Sequence, residues 1–467
     1  MKILSKNYSS LVLFILFAFG ANIATAQVKK IFTPRYNETI SGDVTMIANN
    51  VLSRTATTDY NGEDGNHDFS DNVYVDIDND PSTFNSSSAN LSNPKPNAAC
   101  LTIESVLLYW AAADKGNIQN GVELDNQPNW NFNEVKLMLP NQVAYTTIVA
   151  DDIIYRGRDE NPHFMNDPYI CVKDITSDVQ NLNNPFGKYQ VANVEAKTGA
   201  LTSHASSNTG TSGGWQMVVV YSSPSLRMKN ITLFDGYAHI KSAAPSIDVL
   251  FDGFQTVPNG AVKADVVMGA LEGDRDISGD KLQIKNVANT FVDLDAPLRD
   301  ANNFFNSRIT KGPSNGNNNF TDRNPASTNT LGFDASIFPL SNNGNSLITN
   351  NQTSATFRIT STQETYGLYL LGLAIEVYKP VLEMIVIGTP SSVTPQANPT
   401  NVNFNPEITN SGNDNAENAV LTTTIPPVAT LVEPIIGLPS GVSYTFDTNT
   451  NVLTFNVANG VFDIGNP

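Results

Sequence analysis

Cysteine and histidine are scarce in this chain. Its 467 residues hold two cysteines, Cys100 and Cys171, and four histidines, His67, His163, His204 and His239. None of them has the short spacing of a zinc site, which argues against a zinc-built module. Two cysteines allow at most one bridge, Cys100–Cys171, and spacing alone does not decide between a disulfide and two free thiols. Basic residues are in deficit too, with 27 Lys+Arg against 45 Asp+Glu and a formal net charge of -18. Such a surface repels phosphate backbones, so nucleic acid is not an expected partner. The same charge favours solubility, and it offers oxygen ligands to cations. Helical periodicity is nearly absent, which excludes bundles and parallel α/β sheets. No Gly-rich phosphate loop leads from a strand into a helix. After residue 19 no apolar run reaches membrane length, so no bilayer insertion is expected of the mature chain.

What is present begins with a leader. Lys2 and Lys6 precede the apolar run Leu11–Phe19, and Ala24-Thr25-Ala26 supplies the small residues that a signal peptidase requires. Residues 1–26 therefore read as a secretory signal, and the protein as exported. Beyond it, strand patterns dominate. Val73, Val75 and Ile77 alternate with polar neighbours, the period of a half-buried strand. Trp215–Tyr221 and Tyr366–Tyr378 are continuous apolar runs, as expected of strands covered on both faces. Further strands are expected over 101–111, 133–139, 143–149, 188–194, 226–234, 246–251, 262–270 and 354–361, with one short helix over 174–182 capped by Asp174 or Thr176. Long polar connections fall at 78–98, 197–214 and 306–330.

The fold class is all-β. Residues 27–379 read as a β-sandwich or jelly-roll head, with halves 27–224 and 225–379. After Lys379-Pro380 the texture turns to Pro- and Thr-rich short strands, and residues 380–467 read as an Ig-like module. An incomplete sandwich leaves an unpaired edge, so this last module is expected to be marginally stable.

Candidate chemistry is sparse. Asp76, Asp78 and Asp80 are spaced two apart, so on an extended chain they project from one face and present hard oxygens to calcium. They are not an EF-hand, since Pro81 stands where the sharp-turn glycine belongs and Ser87 where the bidentate glutamate belongs. Glu272, Asp274, Asp276 and Asp280 in LEGDRDISGD form a second candidate calcium loop. The plain alternative for both is a solvated acidic turn. Gly210-Thr211-Ser212-Gly213-Gly214 matches the nucleophile-elbow pattern in letters only, because a polar loop precedes it and a strand follows. Trp130, Phe132, Phe164 and Tyr169 are candidates to stack on sugar rings, or else to anchor their loops.

Two stretches resemble known families. Phe404-Asn405-Pro406-Glu407-Ile408-Thr409-Asn410-Ser411-Gly412, followed by Ala416-Glu417-Asn418-Ala419-Val420 and Ile425-Pro426, resembles the conserved-repeat Ig-like domains of giant bacterial surface proteins. That family pattern continues past Pro467, so the module is expected to be truncated here. Val75–Ser87, Leu108-Tyr109-Trp110, Lys173–Thr176, Gly214–Tyr221 and Leu331–Asp334 are similar to a domain that leads such proteins. The resemblance implies a Bacteroidetes-type surface adhesin of the gliding, type IX-exported class. It implies cell-surface or extracellular localisation, and a stalk that carries a head. The expected partners are an extracellular glycan, cell or abiotic surface, together with export and envelope proteins. It supplies no catalytic residue, so no enzyme is expected. Two other readings stay open. One is a structural cap or partner-docking domain, and the other is a carbohydrate-active enzyme with paired carboxylates.

Overall fold

The apolar runs that close the sequence argument also begin the structural one. In the computed structural model of the chain, Gly213–Ser222 and Tyr366–Glu376 are interior strands, with every residue but Ser222 buried. The structure describes residues 28–65, 71–114, 118–119, 122–123, 131–160, 166–200, 211–242, 246–296, 298–312, 319–378, 380, 382–390, 401–410, 412, 415–416 and 418–463. The leader lies outside them.

The protein is all-β, as expected, and it divides into two units, residues 1–376 and 377–467. The expected boundary at 379/380 falls just past this division.

In unit 1 a ten-stranded sheet runs in the order Asp152–Arg156, Pro168–Asp174, Thr102–Ala113, Gly213–Ser222, Val28–Asn50, Met228–Ile240, Tyr366–Glu376, Ala264–Gly273, Gly332–Pro339, Ile309–Lys311. All pairs are antiparallel except the last. The long strand Val28–Asn50 joins its two blocks. Residues 28–41 pair with Met228–Ile240, and residues 42–50 pair with Gly213–Ser222. The sheet thereby folds over on itself. Gln216 of one block donates Nε2 to the Met268 carbonyl of the other at 3.1 Å, and its Oε1 accepts the Tyr369 hydroxyl at 2.9 Å. The blocks share one core that contains Met46, Leu108, Trp215, Val267, Phe333 and Leu370.

Two smaller sheets add further layers. One joins Arg323–Asn324, Ser86–Leu91, Gly187–Ala192, Glu134–Met138 and Thr146–Val149. It is tied to the large sheet by Trp110 Nε1 on the Phe132 carbonyl and Trp215 Nε1 on Ser87 Oγ, both at 2.9 Å. The other joins Ile247–Asp252, Ser354–Ser361, Asp280–Lys285 and Phe291–Asp293. Phe251 of this sheet meets Phe234 of the large sheet edge-on at 4.9 Å.

The short helix is Thr176–Gln180, and Asp174, one of the two expected caps, accepts the Thr176 N–H on its Oδ1 at 2.9 Å. The Thr176 hydroxyl instead accepts the Val106 N–H at 2.9 Å, docking the helix on Thr102–Ala113. Gly214 shows why glycine enters the buried strand. A Cβ there would lie 2.7 Å from the Asn49 carbonyl and from the Phe333 ring.

Unit 2 contains the five strands expected of it: Leu382–Thr389 pairs with Asn403–Asn410, and Val420–Thr424, Val452–Val457 and Val442–Asp447 form a three-stranded sheet. Among the described residues its buried apolar side chains are few: Ala416, Val457 and Phe462 form one cluster, with Leu382, Ile408 and Leu421 packed beside it, and Leu453 is buried as well.

Candidate functional site

The sequence-derived candidates are placed as follows. The strand expected through residue 78 ends at Tyr74, and Val73 is exposed while Val75 is buried. Asp76, Asp78 and Asp80 therefore lie in a turn, with Asn79 at φ 54°, and do not share one strand face. Their oxygens serve the turn itself. Asp76 Oδ1 accepts the Ser86 hydroxyl at 2.9 Å, and Asp80 Oδ1 accepts the Ser82 N–H at 2.8 Å. Asp78 accepts from the Tyr145 hydroxyl, Gln190 Nε2 (2.7 Å), the Asp80 N–H (3.0 Å) and Thr83 Oγ1 (3.2 Å). Burial pushes the Asp78 carboxyl up, but these hydrogen bonds outweigh it and hold it below the ordinary carboxylate value.

The second acidic segment is not a solvated loop. Glu272, Asp274 and Asp280 are buried while Asp276 is exposed, and Asp280 lies beside Glu364 from the connection between Ser354–Ser361 and Tyr366–Glu376. Among the described residues, no three His, Cys, Asp or Glu side chains come together as a metal-binding group, so neither acidic run forms the cluster expected of it.

Both cysteines are free, so of the two alternatives left open by their spacing the candidate Cys100–Cys171 bridge is not formed. Cys171 is buried opposite Trp110, whereas Cys100 is exposed ten residues upstream of Trp110. That separation along a strand is roughly 30 Å, far beyond the roughly 7 Å at which two Cα atoms can be bridged. Burial pushes the Cys171 thiol up, away from reactivity.

Trp130 and Phe164 lie outside the described residues. Tyr169 is fully buried, and its hydroxyl is bonded to the Glu195 carbonyl at 2.7 Å, so it cannot stack on a sugar. Phe132 packs on Tyr169 at 5.3 Å beneath the Arg156 guanidinium, which is 4.1 Å from its ring centroid. Both aromatics anchor their segments. Ser212 is buried and runs straight into a strand, without the helix that a nucleophile elbow requires.

Polar groups that sequence reasoning missed build a groove of about 520 Å³ at one end of the large sheet. Leu226, Val262, Pro339 and Leu340 contribute apolar walls. Lys229 donates to Asp43 Oδ1 and to Asp265 Oδ2, each at 2.7 Å. Burial works against the charge on Lys229, but Asp265 and Asp43 outweigh it and raise its pKa. Lys95 stands 4.0 Å from Asp43, and Arg227 3.6 Å from Glu376. Lys263, Ser341 and Asn343 are exposed along the lining. These residues come from separate strands and loops, so no linear motif marks them. Both carboxylates that face the ammonium are bonded to it, and burial still raises the Asp265 carboxyl above its ordinary value.

Other missed groups are structural. Arg299 and Asp334 form a fully buried ion pair at 2.7 Å. Arg323 is caged by carbonyls of Phe320, Pro325 and Ser327, and burial pushes its pKa down to about 9.

No protein-family model matches the chain, and no curated protein is similar to it.

Proposed function

We propose that the protein is an exported surface adhesin in which unit 1 is the binding head and unit 2 begins the stalk. The observation that best supports binding over catalysis is the groove. Its exposed rim carries the cations Lys263 and Arg227 and the polar Ser341 and Asn343, with Arg227 3.6 Å from Glu376. Its acids Asp43 and Asp265 are committed to Lys229. Such a site holds a ligand rich in acceptor oxygens, such as an extracellular polysaccharide, by hydrogen bonds and charge. The leader and the family resemblance support export and surface display. The calcium reading of the acidic runs becomes a condition of the test rather than part of the mechanism.

The experiment is binding of the purified chain to a panel of acidic and neutral polysaccharides, glass and whole cells, with calcium and then with EDTA. Saturable binding that weakens several-fold in the double variant Arg227→Ala, Lys263→Ala supports the reading. Absence of binding to every surface, with capture of envelope components instead, would transfer the head to a structural or docking role.

A further inference from the structure

Asp280 opens the strand Asp280–Lys285, and Glu364 lies in the connection by which the chain crosses from Ser354–Ser361 of the four-stranded sheet to Tyr366–Glu376 of the large sheet. Asp280 has no solvent exposure and Glu364 has 2 %. Each carboxyl has one oxygen held by backbone. Asp280 Oδ1 accepts the N–H of Phe304 at 2.6 Å and of Phe305 at 2.7 Å, and Glu364 Oε1 accepts the N–H of Asp274. The remaining oxygens, Asp280 Oδ2 and Glu364 Oε2, are sealed from solvent and meet no donor. The two side chains are neighbours within hydrogen-bonding reach of each other.

Among the described residues, neither carboxyl forms a salt bridge with a base. Arg275 turns its guanidinium to Glu63 (3.4 Å) and the Thr328 carbonyl, and Arg299 is committed to Asp334. The other ionisable groups that face the pair are Asp274 on the turn after Ala264–Gly273, Asp334 on Gly332–Pro339 and Tyr366 on the following strand. The first two are further acids. Two ionised carboxylates left together in such a site would repel one another with no water to screen them. A single proton removes the conflict, because it turns one orphan oxygen into a donor and satisfies the other.

We propose that Asp280 and Glu364 share one proton at neutral pH and form a latch that joins the 274–280 turn, the 303–305 turn and the 361–366 connection between the two sheets. The surroundings act in the same direction. Burial, then the charge of its neighbour Asp280, raises Glu364 well above the ordinary carboxyl value, and burial raises Asp280. The proton belongs to the pair rather than to either residue. A folded pKa raised above the unfolded value gives stability that is complete below the unfolded value. That stability is lost as pH rises through the folded one. The latch is therefore closed in acid and released by alkali.

The test uses the full chain. Infrared difference spectra at neutral pH report the carbonyl stretch of a buried protonated carboxyl. Thermal and urea unfolding are then followed from about pH 6 to about pH 10, where one released proton makes the unfolding equilibrium constant climb by up to about tenfold per pH unit. The wild type is expected to show both signatures. Glu364→Gln should show neither, because its amide gives Asp280 a hydrogen that does not titrate. Asp280→Asn provides the same substitution from the other side if Glu364→Gln folds poorly, and the wild-type infrared band needs no variant. Absence of that band, or equal pH slopes in wild type and variants, would overturn the proposal. So would stabilisation of the wild type by calcium that Glu364→Gln abolishes, since a cation would then stand where the proton is placed.

Discussion

The two units are built from the same kind of strand but differ in what covers it. In unit 1, Tyr366–Glu376 is buried at every position. In unit 2, the equally apolar Met384, Ile385, Val386 and Ile387 are 58 %, 63 %, 50 % and 59 % exposed, and Phe404 on the paired strand is 69 % exposed. Strand propensity and alternation suffice to form the ladder in both. Only the burial of apolar surface between layers, at about 25 cal/mol per Å², turns a ladder into a stable body. Unit 2 has the strands of a sandwich with little of its core, so its stability should be low and its unfolding separate from that of unit 1.

Substitutions can break this contrast, and the largest effect belongs to the shared core. Trp215→Ala removes a fully buried side chain whose Nε1 is bonded to Ser87, and should destabilise unit 1 by about 3–5 kcal/mol. Urea unfolding followed by near-ultraviolet circular dichroism would register it as a shift of the later transition alone. A comparable loss, again about 3–5 kcal/mol, is expected for Arg299→Ala, because Asp334 would stay buried without its cation. A change below about 1 kcal/mol would show instead that Asp334 is carried by the Ser307 and Arg308 N–H groups.

How far the sequence carried the fold is visible at particular strands. Ser354–Ser361 and the five strands of unit 2 were legible because alternation and turn residues bound them on both sides. Ser86–Leu91 was not, because Ser-Ser-Ser-Ala-Asn reads as a loop. It is a strand because the serines are buried and their hydroxyls find partners such as Trp215. Val28–Asn50 was missed as well. Pro34, Gly42 and the bulges along its first part erase the period, and continuous burial starts only near Val44. The sites fared worse for the same physical reason. Asp43, Lys229 and Asp265 meet from three strands, and Asp280 meets Glu364 across more than eighty positions (364 − 280 = 84), so no local window holds either group. Of the acids that a local window did hold, Asp76, Asp78 and Asp80 serve a turn, Glu272, Asp274 and Asp280 are buried, and Asp276 is exposed.

A smaller effect sharpens the comparison from the acid side. Asp78 is held below the ordinary carboxylate value, so its contribution is present above the unfolded pKa and is lost as pH falls through the folded one. Melting of unit 1 between about pH 6 and about pH 2 should therefore decline toward acid, and less steeply in Asp78→Asn. Identical profiles would remove Asp78 from the account of acid sensitivity. The smallest effect is expected at the exposed apolar face of unit 2. Val386→Ser should change stability by no more than about 0.5 kcal/mol, because half of the side chain already faces water. A loss above about 2 kcal/mol would mean that this face is covered in solution, and light scattering of the same sample would show whether another copy covers it.

The central claim is that ligand engagement belongs to unit 1 and its groove. The most direct measurement is surface binding by the intact chain beside two variants of it, Arg227→Ala with Lys263→Ala in the groove and Val386→Ser in unit 2. The account predicts saturable binding that is weakened several-fold by the groove variant and unchanged by the unit 2 variant. Binding that survives the groove variant but falls in Val386→Ser would contradict it and place the contact surface on unit 2.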